Sequence, residues 1–178
     1  MRDYLARSWI NPKLVGGESK IHGEGVFASG PIALGEKLME FGGERVTAAS
    51  LESGDYRECS VWLAGDGVYL ALPVSEPEPS LDENLNHSCD PNGWLIDEVT
   101  LVARRDISQG EEITLDQGTW NFDDGEYTWD DADCGCGARD CRKRLTESDW
   151  KLPALHERYR GHFHPHVQKM IDGQIERK

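Results

Sequence analysis

No stretch of the chain approaches the roughly 18 to 20 consecutive apolar residues that a bilayer-spanning helix needs. The longest apolar run is Val68 to Leu72, so no membrane span is expected. The apolar core of a secretory leader is missing too, because the first residues, MRDYLARSWINPK, carry charge throughout. A cytoplasmic location is the expectation. Basic side chains are scarce: 19 Lys and Arg face 33 Asp and Glu, a formal net charge of −14 at pH 7. Phosphate backbones repel such a surface, which disfavours direct nucleic-acid binding and favours a basic protein partner. The imbalance is uneven, with 13 basic and 30 acidic residues up to Trp150 but 6 and 3 after it, or −17 and +3. Internal repeats are absent, and the run Asp123 to Asp133, acidic at six of eleven positions, reads as a solvated loop.

What is present argues for one folded domain. A length of 178 residues fits a single core, and six Trp, five Tyr and four Phe supply one worth burying. Residues 19 to 46 alternate short β-rich runs with glycines at 23, 25, 30, 35, 42 and 43, the pattern of short strands and turns. Further strands are predicted at Gly67 to Leu72, Trp94 to Ile96, Thr100 to Ala103 and Glu112 to Leu115. The segment LPVSEPEPSLDEN holds Pro73, Pro77 and Pro79 and reads as loop. Helices are predicted at Ala48 to Ser53, Pro153 to Tyr159 and Pro165 to about Glu176, the two prolines suiting first-turn positions.

The five cysteines are Cys59, Cys89, Cys134, Cys136 and Cys141. In a reducing compartment clustered thiols point to a metal ion more than to disulfides. The C-x-C-x4-C cluster offers three thiolates, and a closed tetrahedral Zn²⁺ site wants a fourth ligand, for which Cys89 in NHSCDPN is the best candidate. Taken alone, the pattern indicates a small zinc site. Arg139, Arg142, Lys143 and Arg144 are placed to offset the excess negative charge of four thiolates. Cys59, in DYRECSVW, reads as a small core side chain. His162, His164 and His166 read as exposed histidines at a helix entry rather than a ligand set.

Four strings, KIHGEGVF at 20 to 27, NHSCDPN at 86 to 92, ARRDISQGEEITLD at 103 to 116 and CGCGARDCR at 134 to 142, occur in an order that resembles the SET-domain protein-lysine methyltransferases with a post-SET zinc segment. The resemblance covers about Ser19 to Leu145, and the tail looks like the extension of a bacterial branch. It implies a mainly β fold of small curved sheets around a pseudoknot, with helices at the C-terminal end. It also implies a division into a lead-in (1–18), a SET domain (19–118), a post-SET zinc segment (119–145) and a helical extension (146–178). By the same resemblance S-adenosylmethionine is bound by His22, Gly23, Glu24, Gly25, Asn86, His87, Gln117 and Leu145, and Zn²⁺ by Cys89, Cys134, Cys136 and Cys141. The implied reaction is methyl transfer to a lysine in a Lys-rich segment of a partner protein.

One departure bears directly on chemistry. Where the family places a tyrosine beside the transferring methyl, this chain has Gln117, whose amide has no acid or base capacity near neutral pH. Two alternatives to lysine methylation follow: a module that binds cofactor or peptide without turnover, and an enzyme acting on a different or small-molecule acceptor. Glu24 in the G-x-G loop, Glu83-Asn84-Leu85 before NHS, and Phe41 for a common tyrosine are milder departures. Tyr69, Trp120 and Tyr127 are candidates for lining an acceptor channel.

Overall fold

The computed structural model describes residues 2–65, 67–76, 79–121 and 132–173. Most of the acidic run, and Tyr127 within it, lies outside them. Among the described residues there are thirteen short strands: β1 (Trp9–Ile10), β2 (Leu14–Glu18), β3 (Glu24–Ala28), β4 (Lys37–Glu40), β5 (Glu44–Val46), β6 (Trp62–Gly65), β7 (Val68–Ala71), β8 (Asn86–His87), β9 (Gly93–Leu95), β10 (Thr100–Ala103), β11 (Glu112–Leu115), β12 (Ala132–Asp133) and β13 (Arg144–Leu145). Among the described residues three α-helices join them: α1 (Ala48–Leu51), α2 (Pro153–Arg158) and α3 (Pro165–Ile171). The strands form sheets ordered β1-β4-β10-β9, β2-β3-β11-β8 and β5-β7-β6, with β12-β13 as a two-stranded clip. This is the mainly β class expected from the sequence. No described helix is long and apolar enough to cross a membrane.

The first two sheets enclose the main core, where Val26, Leu38, Met39, Leu95, Leu101 and Ile113 are fully buried. Their strands bury both faces in places, so β10 reads as a continuous apolar run rather than an alternation. The second sheet is closed by an unusual pairing: β8 runs parallel to β11, with Asn86 opposite Thr114 and Leu115 opposite His87. Buried Asn92 locks this arrangement, donating to Glu112 O at 2.8 Å and accepting from Thr114 N–H at 2.9 Å. A second core of Trp150, Leu155, Tyr159, Phe163 and Val167 lies in the C-terminal segment and reaches Leu63 of β6.

Several local expectations are corrected. Strands begin before residue 19, because β1 and β2 of the lead-in pair with β4 and β3. The proline-rich segment ends in a 3₁₀ turn, Leu81–Asn84, stabilised by a capping box between Ser80 and Glu83. Cys59 is exposed rather than in the core, its thiol donating to Glu83 Oε2 at 2.8 Å. His164 is buried, not exposed: it caps α3 by accepting from His166 N–H, and its Nε2 faces Leu63 O at 3.0 Å. His162 stacks on Trp94 at 3.5 Å between ring centroids. Partners from distant strands, Trp94 for His162 and Leu63 for His164, decide these two positions, and the H-F-H-P-H string shows neither.

Candidate cofactor and metal site

The G-x-G loop is tethered from below. Ser19 N–H donates to Gly23 O at 2.9 Å, Ser19 Oγ to Glu112 Oε1 at 2.8 Å, and Asn86 Nδ2 reaches His22 O, Glu24 O and Glu112 Oε1 at 3.1, 2.9 and 2.8 Å. Asn86 Oδ1 takes no protein donor among the described residues. His22, Gly23 and Glu24 are exposed, Gly25 is buried, and Gly23 has φ +48° with open space where a Cβ would stand. The loop therefore presents bare backbone, which lets a ligand approach closely. A Cβ on Gly25 would lie 2.5 Å from Glu112 Oε1, so only glycine fits there without displacing the carboxylate.

Cys89 sits just beyond β8, and the β12-β13 clip carries the other clustered thiols to it. Cys134 N–H donates to Lys143 O at 2.8 Å, extending the two-residue ladder, and Cys134 Sγ lies 3.9 Å from Cys89 Sγ. One ligand atom each from His87, Cys89, Cys134 and Cys136 falls within 4.8 Å of the others, an arrangement that fits a metal ion. Cys141 stands against this group, its thiol interacting with those of Cys134 and Cys136. Burial pushes the Cys89 thiol up to about 11 and Cys134 higher still. At Cys136 burial also acts upward, but the backbone N–H groups of Cys89 and Ala138 outweigh it and bring the thiol down to about 7. A cation reverses the cost of ionising such thiols together.

The clip and the loop meet: a Cβ on Gly135 would come within 3.2 Å of Ile21 O. His87 joins the cluster to the next element. Its Nδ1 accepts from Gln117 N–H at 3.1 Å, which assigns the ring proton to Nε2, 3.2 Å from Cys89 Sγ. Burial holds this imidazole down at about 4, so it is neutral at pH 7. Gln117 opens a 3₁₀ turn, Gln117–Thr119, capped by Asp116, whose carboxylate accepts from Gly118 N–H at 2.9 Å. Gln117 is half-buried, and its side-chain amide makes no hydrogen bond among the described residues. Just past the turn, Trp120 tilts against Trp62 at 4.8 Å, and Trp62 stacks on Phe41 at 3.7 Å.

A family model described as the SET domain matches residues 23–118, more than half of the chain. The chain belongs to the SET-domain family. Among curated relatives it is 31% identical over 167 residues to set-23 of Caenorhabditis briggsae, a protein named "Probable histone-lysine N-methyltransferase", covering 83% of this chain and 66% of that one. It is 34% identical over 146 residues to the set-23 protein of Caenorhabditis elegans, covering 71% and 57%. It is also 30% identical over 148 residues to the histone-lysine N-methyltransferase trithorax of Drosophila virilis, covering 71% of this chain and 3% of that one. The chain thus spans just under two thirds of the first relative and a small part of trithorax.

Within this SET-domain fold, His22 to Gly25, Asn86, His87, Gln117 and the four clustered cysteines come together as one connected set. Leu145 lies in β13, opposite Ala132 and half-buried at the foot of the clip. Tyr69 falls in a separate core with Val46, Val61 and Ala71. Sequence reasoning passed over Glu112, Asp116 and Tyr159. Fully buried Asp116 is gripped through both oxygens by Arg142 Nη1 and Nη2 at 2.8 and 2.6 Å, and Arg142 Nε reaches Asp149 Oδ2 at 2.8 Å. Burial alone would lower the Arg142 guanidinium, but the Asp116 hydrogen bonds outweigh it and hold the group above its usual range. The signal for Glu112 and Asp116 was their place in GEEITLD. The sequence marks Arg142 only as a counter-charge, and nothing near Tyr159 in sequence marks it.

Proposed function

We propose that the chain is an S-adenosylmethionine-dependent protein-lysine N-methyltransferase. The observation that carries this reading is the parallel pairing of β8 with β11, which puts the G-x-G loop, Asn86, the thiol cluster and Gln117 around one position. His22 to Gly25 and Asn86 hold the cofactor in this reading, with Asn86 Oδ1 left for its amine and Leu145 for its adenine. Bound there, S-adenosylmethionine supplies an electrophilic methyl group. The chain's own residues contribute alignment, since in-line transfer to a neutral amine depends mostly on placement.

The proposal assigns the metal as Zn²⁺ held by Cys89, Cys134, Cys136 and Cys141. His87 is the nearer fourth group by distance, but with Nδ1 engaged by Gln117 N–H its Nε2 carries the proton and donates to Cys89. An imidazole in that tautomer supports a thiolate ligand instead of being one. The parts named in the proposal are a SET domain over 19–118, a post-SET segment over 119–145 and an extension over 146–178. A cytoplasmic location is supported by five cysteines that are all free of disulfides. The −14 charge supports a Lys-rich partner segment, drawn by long-range attraction that salt weakens.

The second reading, a binding module or an enzyme for another acceptor, is favoured by Gln117 itself. The deciding experiment incubates the purified chain with labelled S-adenosylmethionine and a lysate from its own source. Label on protein lysines supports the proposal, label on a small molecule supports the alternative acceptor, and cofactor binding without label supports the module.

A further inference from the structure

The SET-domain match ends at residue 118, yet the turn carrying Gln117 is held by groups far beyond it. Tyr159 Oη donates to Asp116 Oδ2 at 3.0 Å, and both residues are fully buried. Leu155 fills the space beside Gly118, where a Cβ would come within 2.8 Å of Leu155 Cδ1. His164 N–H donates to Thr119 O at 2.8 Å. The same segment grips the metal side, because Arg158 Nη1 donates to Cys89 O at 2.6 Å.

We propose that Tyr159 is a positioning residue for Gln117, acting through Asp116, so that the C-terminal segment forms part of the candidate active site. The Asp116 carboxylate has four donors: Gly118 N–H, both terminal nitrogens of Arg142, and the Tyr159 hydroxyl. Arg142 binds both oxygens, and Tyr159 bonds Oδ2, the atom that the turn does not use. Without the hydroxyl Oδ2 keeps the Arg142 bond alone, so the carboxylate is held less firmly and the cap that Oδ1 gives to Gly118 N–H loosens. Packing alone needs no oxygen here, since neighbouring Phe163 fills the same core with none. The hydroxyl is set against a buried carboxylate, where a lost partner is costly to replace.

The inference rests on the methyltransferase reading only for its effect on cofactor binding. Tyr159→Phe keeps the ring, and Val167→Ala serves as a packing control from the same core. In zinc-replete full-length protein, well below the melting temperatures, Tyr159→Phe is expected to speed hydrogen exchange at the Gly118 and Thr119 amides about tenfold. It is expected to weaken S-adenosylhomocysteine binding, measured by calorimetry, by a similar factor. Val167→Ala should lower the melting temperature and leave both readouts unchanged. Unchanged exchange in Tyr159→Phe overturns the inference, as do equal changes in Val167→Ala, which reduce Tyr159 to packing. If the wild type binds no S-adenosylhomocysteine, the methyltransferase reading fails, and hydrogen exchange still decides the role of Tyr159.

Discussion

Where Gly25 approaches Glu112, the absence of a side chain is a structural requirement of the loop. The 2.5 Å clash of an added Cβ falls on a carboxylate already fixed by Ser19 and Asn86. Gly25→Ala is therefore expected to cost about 1–3 kcal/mol in denaturant unfolding, the usual range for overpacking. In the proposed reaction Gln117 is the residue on which chemistry turns. Polar and acid–base groups at a reacting centre are worth about 10²- to 10⁴-fold, so Gln117→Tyr is expected to raise methyl transfer to lysine by about tenfold. A wild type more active on lysine than this variant would overturn this account of position 117. Far from the site, Glu36 is held down at about 2, first by its hydrogen bond from Lys13 and then by Ala33 N–H and Asn11. Its folded value lies below the ordinary 4.5, so its stabilisation is present above that pH and is lost as pH falls toward 2. Melting curves of the wild type and Glu36→Gln should accordingly converge on acidification through that window.

The two-residue strands β8, β12 and β13 are too short to stand alone, and each is fixed by what it carries. β8 is locked by Asn92 and by His87 bonding Gln117 N–H, and the clip by its thiols. Cys141→Ser is expected to lose most bound zinc, whereas His87→Ala should keep near one equivalent with an affinity lower by about 10- to 100-fold. Elemental analysis and chelator competition measure both, and a His87→Ala protein devoid of zinc would make His87 the fourth ligand. At this scale the sequence was legible wherever a strand was apolar and bounded: β10 and β11 lie where they were predicted. It was less legible for β1 and β2, since LVGGE has too little alternation to show a strand that exists only by pairing with β3.

The C-terminal segment is built into the molecule as a whole. Trp150, Leu155, Tyr159, Phe163 and Val167 are all buried, and each such side chain is worth about 1.5–3 kcal/mol. Together they rival the roughly 5–15 kcal/mol of net stability of an ordinary domain. A chain ending at Leu145 is expected to show no cooperative melt by calorimetry, while melting within a few degrees of the full chain would make the segment an appendage. The residues after Trp150 carry a +3 charge against the −17 of residues 1–150. Arg158 and Asp140 form one contact between the two parts, at 3.9 Å.

The sequence by itself determined the chemistry-bearing strings, their order, the cysteine spacing and the glutamine at position 117, because these are local facts of composition and spacing. It also set the mainly β class, through short apolar runs punctuated by glycine. Only the tertiary structure decided that Asn86 tethers the G-x-G loop, that His87 links the thiols to Gln117, and that Tyr159 and Arg142 share one buried carboxylate. Those partners lie between 26 and 64 residues apart along the chain. Contacts at such separations leave no periodicity in the sequence; they arise from where the parallel β8-β11 crossing and the second core bring distant backbone together.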